Sequence, residues 1–255
     1  MKFVCRWAAL LSAAAFLCVC APVARMTPDP GPAAGAVTAG EPAEGTAAPG
    51  TEAETETQAT DPDPVPEPVP DPGAALAGLY GDAGQIAEWA LRPVLAAHEA
   101  GLLIGSGGRF RPLAPVTRAE LATILSRLDG TLTRNPVALT DVPEEAWYRD
   151  AAVYAAEAGL LDAAGGTLRP QQAATREEVA AAVARLYALD TKAAQDASAA
   201  GAFTVGDITY AAAAYRPYIA AVFHEGIMVG NGVNFRPKSS ITRQEMAKVL
   251  SALLT

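Results

Sequence analysis

The sequence predicts an all-α fold: three tandem helix–loop–helix units, preceded by an export signal and an unstructured linker. Three observations carry this. From about Gly78 onward one pattern of Gly, Arg and Pro recurs three times without gaps. Each copy is followed by Thr-x-x-Glu, the sequence form of a helix capping box. Apolar residues then follow at helical spacing.

The first copy runs Gly101-Leu-Leu-Ile-Gly-Ser-Gly-Gly-Arg-Phe-Arg-Pro112, then Thr117-Arg-Ala-Glu120. The second runs Gly159-Leu-Leu-Asp-Ala-Ala-Gly-Gly-Thr-Leu-Arg-Pro170, then Thr175-Arg-Glu-Glu178. The third runs Gly226-Ile-Met-Val-Gly-Asn-Gly-Val-Asn-Phe-Arg-Pro237, then Thr242-Arg-Gln-Glu245. Gly to Pro is 11 positions and Pro to Thr is 5 in every copy. In each unit a first helix ends at the Gly, which can take the left-handed C′ conformation. A glycine-rich turn follows, and the capping box opens the second helix. Its apolar stripe is Leu121, Ile124, Leu125 and Leu128 in the first unit, then Val179, Ala182, Val183 and Leu186. In the third it is Met246, Val249, Leu250 and Leu253. One unit of this size closes no core alone, whereas three packed face to face do. Low strand content is expected. The units are placed at residues 79–134, 139–190 and 203–255, with a mobile Ala-, Asp- and Ser-rich connection at 188–202.

The segments before the repeats differ sharply. Lys2 and Arg6 precede an apolar run from Trp7 to Cys20, too short to span a membrane comfortably, so residues 1–20 read as a secretory signal. Leu17-Cys18-Val19-Cys20 resembles a bacterial lipobox, which makes Cys20 a lipidation candidate, although Val19 stands where a small residue is usual. Plain cleavage near Ala21 or Ala24 remains the alternative. Residues 21–78 read as a disordered, acidic, proline-rich linker. Residues 27–75 carry ten acids, no base and no aromatic, and cannot bury enough apolar surface to offset their ordering entropy. The run from Asp61 to Pro72 has proline at every second position and is expected to be extended and stiff.

Composition excludes several functions. The net charge of −9 belongs to the linker, because residues 76–255 are nearly balanced with 16 bases and 18 acids. A domain without a basic run gives no support for nucleic-acid binding. All three cysteines, Cys5, Cys18 and Cys20, precede Ala21, and His98 and His224 are the only histidines. Neither a cysteine framework nor a metal site is expected. Gly105-Ser-Gly-Gly108 lacks the Gly-Lys-Ser/Thr of a phosphate loop. Glu120, Glu178 and Glu245 recur, but capping accounts for them. No nucleophile–base pair is present, so no catalysis and no cofactor are expected.

The repeats resemble the S-layer homology family over about residues 79–255. The residues that carry the resemblance are the Phe-Arg-Pro turn, the Thr-Arg-Ala-Glu box at Thr117–Glu120, Trp89 and Trp147 twelve residues before the helix-ending Gly, and Asp141-Val-Pro143. The resemblance implies a pseudo-threefold helical bundle whose inter-repeat grooves bind a secondary cell-wall polysaccharide, often pyruvylated. It implies that Arg118, Arg176 and Arg243 meet the anionic group, with Trp89 and Trp147 as candidate sugar contacts. Elementary electrostatics points the same way. A cation just inside a helix start opposes the macrodipole by roughly 0.3–1 kcal/mol. It is reasonable beside free N-terminal amides that already form an anion site. A guanidinium there adds bidentate hydrogen bonds to a carboxylate.

Arg111, Arg169 and Arg236, each before a Pro, are expected to brace the loops. Repeat 2 departs from the others at Leu168 and Ala163, which implies a differently shaped loop. Repeat 3 has Ala214, with Tyr215 beside it, at the Trp position. The reading is therefore a non-catalytic cell-envelope anchor at the cell wall or surface layer, reaching a membrane only if Cys20 is lipidated. Its partner would be secondary cell-wall polysaccharide or another peptidoglycan-linked glycan. The alternative is a structural protein whose repeats pack against another envelope or S-layer protein.

Overall fold

A computed structural model of the chain describes residues 71–130 and 137–255. The signal, Cys20 and the linker up to residue 70 lie outside them.

Among the described residues the regular structure is helical, with strand pairing limited to isolated bridges. The second helices of the repeats are α3 (Arg118–Asp129), α5 (Arg176–Leu186) and α8 (Arg243–Leu254). Each opens on a complete capping box. Thr117 Oγ1 accepts from the Glu120 amide at 3.2 Å while the Glu120 carboxylate accepts from the Thr117 amide at 2.9 Å. Thr175 with Glu178 and Thr242 with Glu245 repeat it. The first helices are α2 (Leu91–Glu99), α4 (Arg149–Glu157) and α7 (Arg216–His224). They end at Gly101, Gly159 and Gly226, all left-handed, with φ of 67°, 64° and 73°.

Two further helices lie where sequence composition suggested none. Helix α1 (Pro72–Leu79) falls inside the stretch read as linker. Asp71 caps it, Pro72 takes its first turn, and Leu76 is buried. Helix α6 (Thr191–Ala199) replaces the expected mobile connection and packs on α7. The Asp190 carboxylate caps it by accepting from the Ala193 amide at 2.9 Å, and its alanines are good helix formers.

The repeats close into a ring. Helix α4 packs on α3, α7 on α5, and α2 on α8, so each first helix lies on the second helix of the repeat before it. At the centre, the fully buried residues preceding the three caps form a backbone cycle. The Val116 amide donates to Ile241 O, Ile241 to Ala174 O, and Ala174 to Val116 O, at 2.9, 3.1 and 2.8 Å. Around it the apolar faces of all three second helices share one core. This is the pseudo-threefold bundle that the resemblance implied.

The loop of repeat 2 does differ. A Cβ on Gly105 would stand 2.3 Å from the Arg109 carbonyl and 2.5 Å from the Tyr80 ring, and one on Gly230 would stand 2.2 Å from the Asn234 carbonyl. Ala163 occupies the equivalent place because there the chain turns through a short 3-10 segment, Ala164–Gly166. Gly105→Ala is therefore expected to cost about 1–3 kcal/mol through overpacking. Urea unfolding of the full chain checks this.

Candidate functional site

Each repeat begins with an aspartate that holds its own loop. The Asp82 carboxylate accepts from the Phe110 and Arg111 amides, both at 2.8 Å. Asp141 accepts from Leu168 and Arg169 at 2.8 and 2.6 Å, and Asp207 from Phe235 and Arg236 at 2.7 Å each. The clamps fix Arg111, Arg169 and Arg236 at φ of 57°, 58° and 58°. A non-glycine residue there is strained and persists only where its surroundings hold it. Sequence reasoning found Asp141 but not Asp82 or Asp207, which stand 28 residues before Phe110 and Phe235. That recurring spacing was the available signal.

The clamped loop then receives the box arginine of the neighbouring repeat. Arg118 Nε donates to Leu168 O at 2.6 Å, Arg176 Nε to Phe235 O at 2.7 Å, and Arg243 Nε to Phe110 O at 2.7 Å. The cycle runs from repeat 1 to 2, 2 to 3 and 3 to 1. Arg118 also reaches Glu178 and the Asp162 carbonyl. Arg243 reaches Glu120 at 2.7 Å and the Ile104 carbonyl at 2.9 Å. All three guanidiniums are buried, with residue exposures of 0%, 6% and 6% in chain order. Arg176 and Arg243 also lie over the rings of Phe235 and Phe110, each 5.1 Å from the centroid. Leu168 offers Arg118 no such ring.

The expectation of free amides beside these arginines is not met. The first two amides of each second helix donate to carbonyls of the next loop. Arg118 and Ala119 donate to Gln172 O and Pro170 O, Arg176 and Glu177 to Ser239 O and Pro237 O, and Arg243 and Gln244 to Ala114 O and Pro112 O. Any anion at these seams would meet side chains rather than an amide nest.

The three seams are unequal. Arg176 makes a single hydrogen bond, through Nε, and stands 3.7 Å from Glu245 Oε1. That same oxygen accepts from Arg236 Nη2 at 3.0 Å. Burial pulls the Arg176 guanidinium below the usual arginine range; Glu245 opposes this and Arg236 adds to it. Burial likewise lowers Arg243, opposed by Glu120 and reinforced by Arg111. Arg169 pairs with Asp162 at 3.2 Å, whereas Arg111 donates to Ser106 Oγ at 3.0 Å.

Trp89 and Trp147 stand just before the first helices of repeats 1 and 2. Trp89 is 49% exposed and Trp147 71% exposed, unusual for such large apolar side chains. Lys248 of α8 places Nζ 5.6 Å from the centre of the Trp89 ring, a cation–π contact absent from the sequence reading. In the seam between repeats 2 and 3, Glu177 accepts from the Ala212 amide and pairs with Lys238 at 2.6 Å. His98 accepts from or donates to the Tyr80 hydroxyl at 2.6 Å. Among the described residues no group of His, Cys, Asp and Glu could hold a metal ion, and no helix is long and apolar enough to cross a membrane.

A ring of three helical repeats, each handing a buried guanidinium to the next, defines a repeat-built helical module. The sequence model of the S-layer homology domain matches residues 79–122, 138–180 and 207–247, half of the chain, and the chain belongs to that family. The family match and a surface-layer relative support anchoring at the cell wall. The chain is 29% identical over 189 residues to "Surface-layer 125 kDa protein" of Lysinibacillus sphaericus, covering 69% of this chain and 15% of that protein. It is 32% identical over 151 residues to "Amylopullulanase" of Thermoanaerobacterium thermosulfurigenes, covering 57% and 8%. It is 30% identical over 148 residues to "Exoglucanase XynX" of Acetivibrio thermocellus, covering 57% and 13%. The chain thus spans less than a sixth of the length of each of these relatives.

Proposed function

We propose that this chain is a non-catalytic anchor that holds an anionic secondary cell-wall polysaccharide in the grooves between its repeats, with a pyruvylated sugar as the recognised unit. The observation that carries this reading is a buried arginine in every seam, with exposed Trp89 beneath Lys248 of the neighbouring repeat and exposed Trp147 at the equivalent position of repeat 2. A sugar ring stacks on an aromatic face, and a carboxylate on that sugar is drawn to a guanidinium held in a water-poor seam. Trp89 and Trp147 are the sugar platforms in this account, and Arg118, Arg176 and Arg243 form the floor of the grooves. Relatives named as a surface-layer protein and as two glycan-active enzymes share only a small part of their length with this chain, as a common attachment module would. Export places the repeats outside the membrane, whether Cys20 is lipidated or the signal is simply removed.

The tryptophans test this without disturbing the core. Trp89→Ala and Trp147→Ala are expected each to reduce retention of the full chain on purified sacculi about three- to tenfold, with unfolding midpoints little changed, because stacking on one aromatic is worth roughly 0.5–1.5 kcal/mol. Wild-type retention by both variants would contradict the groove reading.

A further inference from the structure

The three grooves differ in their charged side chains, and the balance of cations and carboxylates is not the same in each. In the groove between repeats 2 and 3, two guanidiniums, Arg176 and Arg236, share one carboxylate oxygen of Glu245. Lys238 and Glu177 beside them cancel each other. In the groove between repeats 3 and 1, Arg243 holds Glu120, while Arg111 reaches only the Ser106 hydroxyl and Lys248 lies over Trp89. Each of these two grooves is short of at least one negative charge. In the groove between repeats 1 and 2, Arg118 holds Glu178 and Arg169 holds Asp162, so its two cations meet two carboxylates. The clamping aspartates, Asp82, Asp141 and Asp207, are common to all three repeats and do not distinguish them.

Asp162 supplies the second carboxylate of the groove between repeats 1 and 2. It stands three residues after the helix-ending Gly159, where the other repeats carry Ile104 after Gly101 and Val229 after Gly226. Its Oδ2 meets Arg169 Nη2 at 3.2 Å, and its Oδ1 accepts from the Ala164 amide at 3.1 Å. Its own carbonyl receives Arg118 Nη2. The residue therefore touches both arginines of its groove, one through the side chain and one through the backbone.

We infer that Asp162 is an internal anion that occupies the anion position of the groove between repeats 1 and 2. This chain accordingly takes the carboxylate of its glycan in the other two grooves only. The inference rests on the anchor reading and adds the number and identity of the working grooves. The Arg169–Asp162 pair is half exposed, and such pairs are worth little as stability. The lock acts through occupancy: an incoming carboxylate finds the guanidinium taken and a like charge beside it. Groove 1–2 keeps the exposed Trp147, so it retains a surface for an uncharged sugar.

The test uses the full chain and, as probe, a methyl hexoside carrying a pyruvyl ketal, whose single carboxylate is the recognised charge. The Nε–H signals of Arg118, Arg176 and Arg243 are followed by NMR during the titration. In the wild type the Arg176 and Arg243 signals are expected to shift with probe and the Arg118 signal to stay. Asp162→Asn keeps the acceptor for the Ala164 amide and removes the charge. It is expected to bring in the Arg118 signal, with an affinity within about threefold of the others, a factor worth roughly 0.7 kcal/mol. The converse variant, Val229→Asp, is expected to weaken binding at Arg176 about tenfold or more and leave Arg243 unchanged. An Arg118 response in the wild type overturns the inference, as does an Asp162→Asn chain that behaves like wild type. Silence of all three arginines in a chain that sacculi still retain also overturns it, and leaves the anchor reading standing. A wild-type chain that sacculi do not retain removes the anchor reading itself.

Discussion

Arg118→Ala is expected to destabilise the fold by about 3–5 kcal/mol, the usual cost of removing one member of a buried ion pair. The guanidinium is fully buried, and its loss strands the Leu168 and Asp162 carbonyls together with the Glu178 carboxylate. Single domains are typically stable by only about 5–15 kcal/mol, so the variant will be partly unfolded or close to it. Much of the cost is the stranded Glu178 rather than lost attraction. Arg118→Ala made in a Glu178→Gln background should therefore cost clearly less than it does alone, because Gln keeps the capping box without an orphan charge. The three box arginines should also rank. Arg118 and Arg243 each make three hydrogen bonds, whereas Arg176 makes one, so Arg176→Ala should be the mildest. Urea midpoints of the three arginine variants, of Glu178→Gln and of the double variant check both statements. Loss of wall binding in an arginine variant is informative only beside such a stability measurement.

Asp82→Ala is expected to cost about 2–4 kcal/mol, since the buried Phe110 amide and the part-buried Arg111 amide lose a charged acceptor. The clamp also holds Arg111 at positive φ, and its release frees the Phe110 carbonyl that Arg243 uses. One aspartate thus couples a strained loop to the ring closure between the first and last repeats. The same carboxyl makes the fold acid-sensitive. Burial pushes its pKa up, but the Phe110 and Arg111 amides pull it further down, leaving it below the ordinary 3.8. A depressed folded pKa means the contribution is fully present above the unfolded value and is lost as pH falls through the folded one. Glu245 behaves alike: burial raises it, and the Thr242 amide and hydroxyl with Arg176 and Arg236 lower it below 4.5. Stability should hold from neutral pH to about pH 4.5 and fall below about pH 4. Asp82→Asn should flatten that fall, as followed by circular dichroism.

What was legible in the sequence was local. Thr117 with Glu120, and its two repeats, are three residues apart, and a capping box needs nothing else. The glycine stops and apolar stripes were readable for the same reason. The ring closure was not, because Arg243 reaches Phe110 across 133 residues and no local rule joins them. The free-amide expectation failed for a related reason: a cap leaves the first amides open, and the carbonyls that take them belong to another repeat. Helix α6 was hidden by composition, since Ala, Ser and Asp suit loops as well as capped helices. The arginines were found by position, but their burial was not foreseeable from it. Asp162 was visible as a departure from Ile104 and Val229, yet its meaning needed Arg169 beside it.

The central claim is that an anionic wall polymer is what this chain holds. The most direct measurement is sedimentation of the full chain with purified sacculi before and after the secondary polysaccharide is stripped. The account predicts retention on intact sacculi, loss on stripped ones, and competition by the released polymer. Equal retention on both would contradict it and point to peptidoglycan or a protein partner.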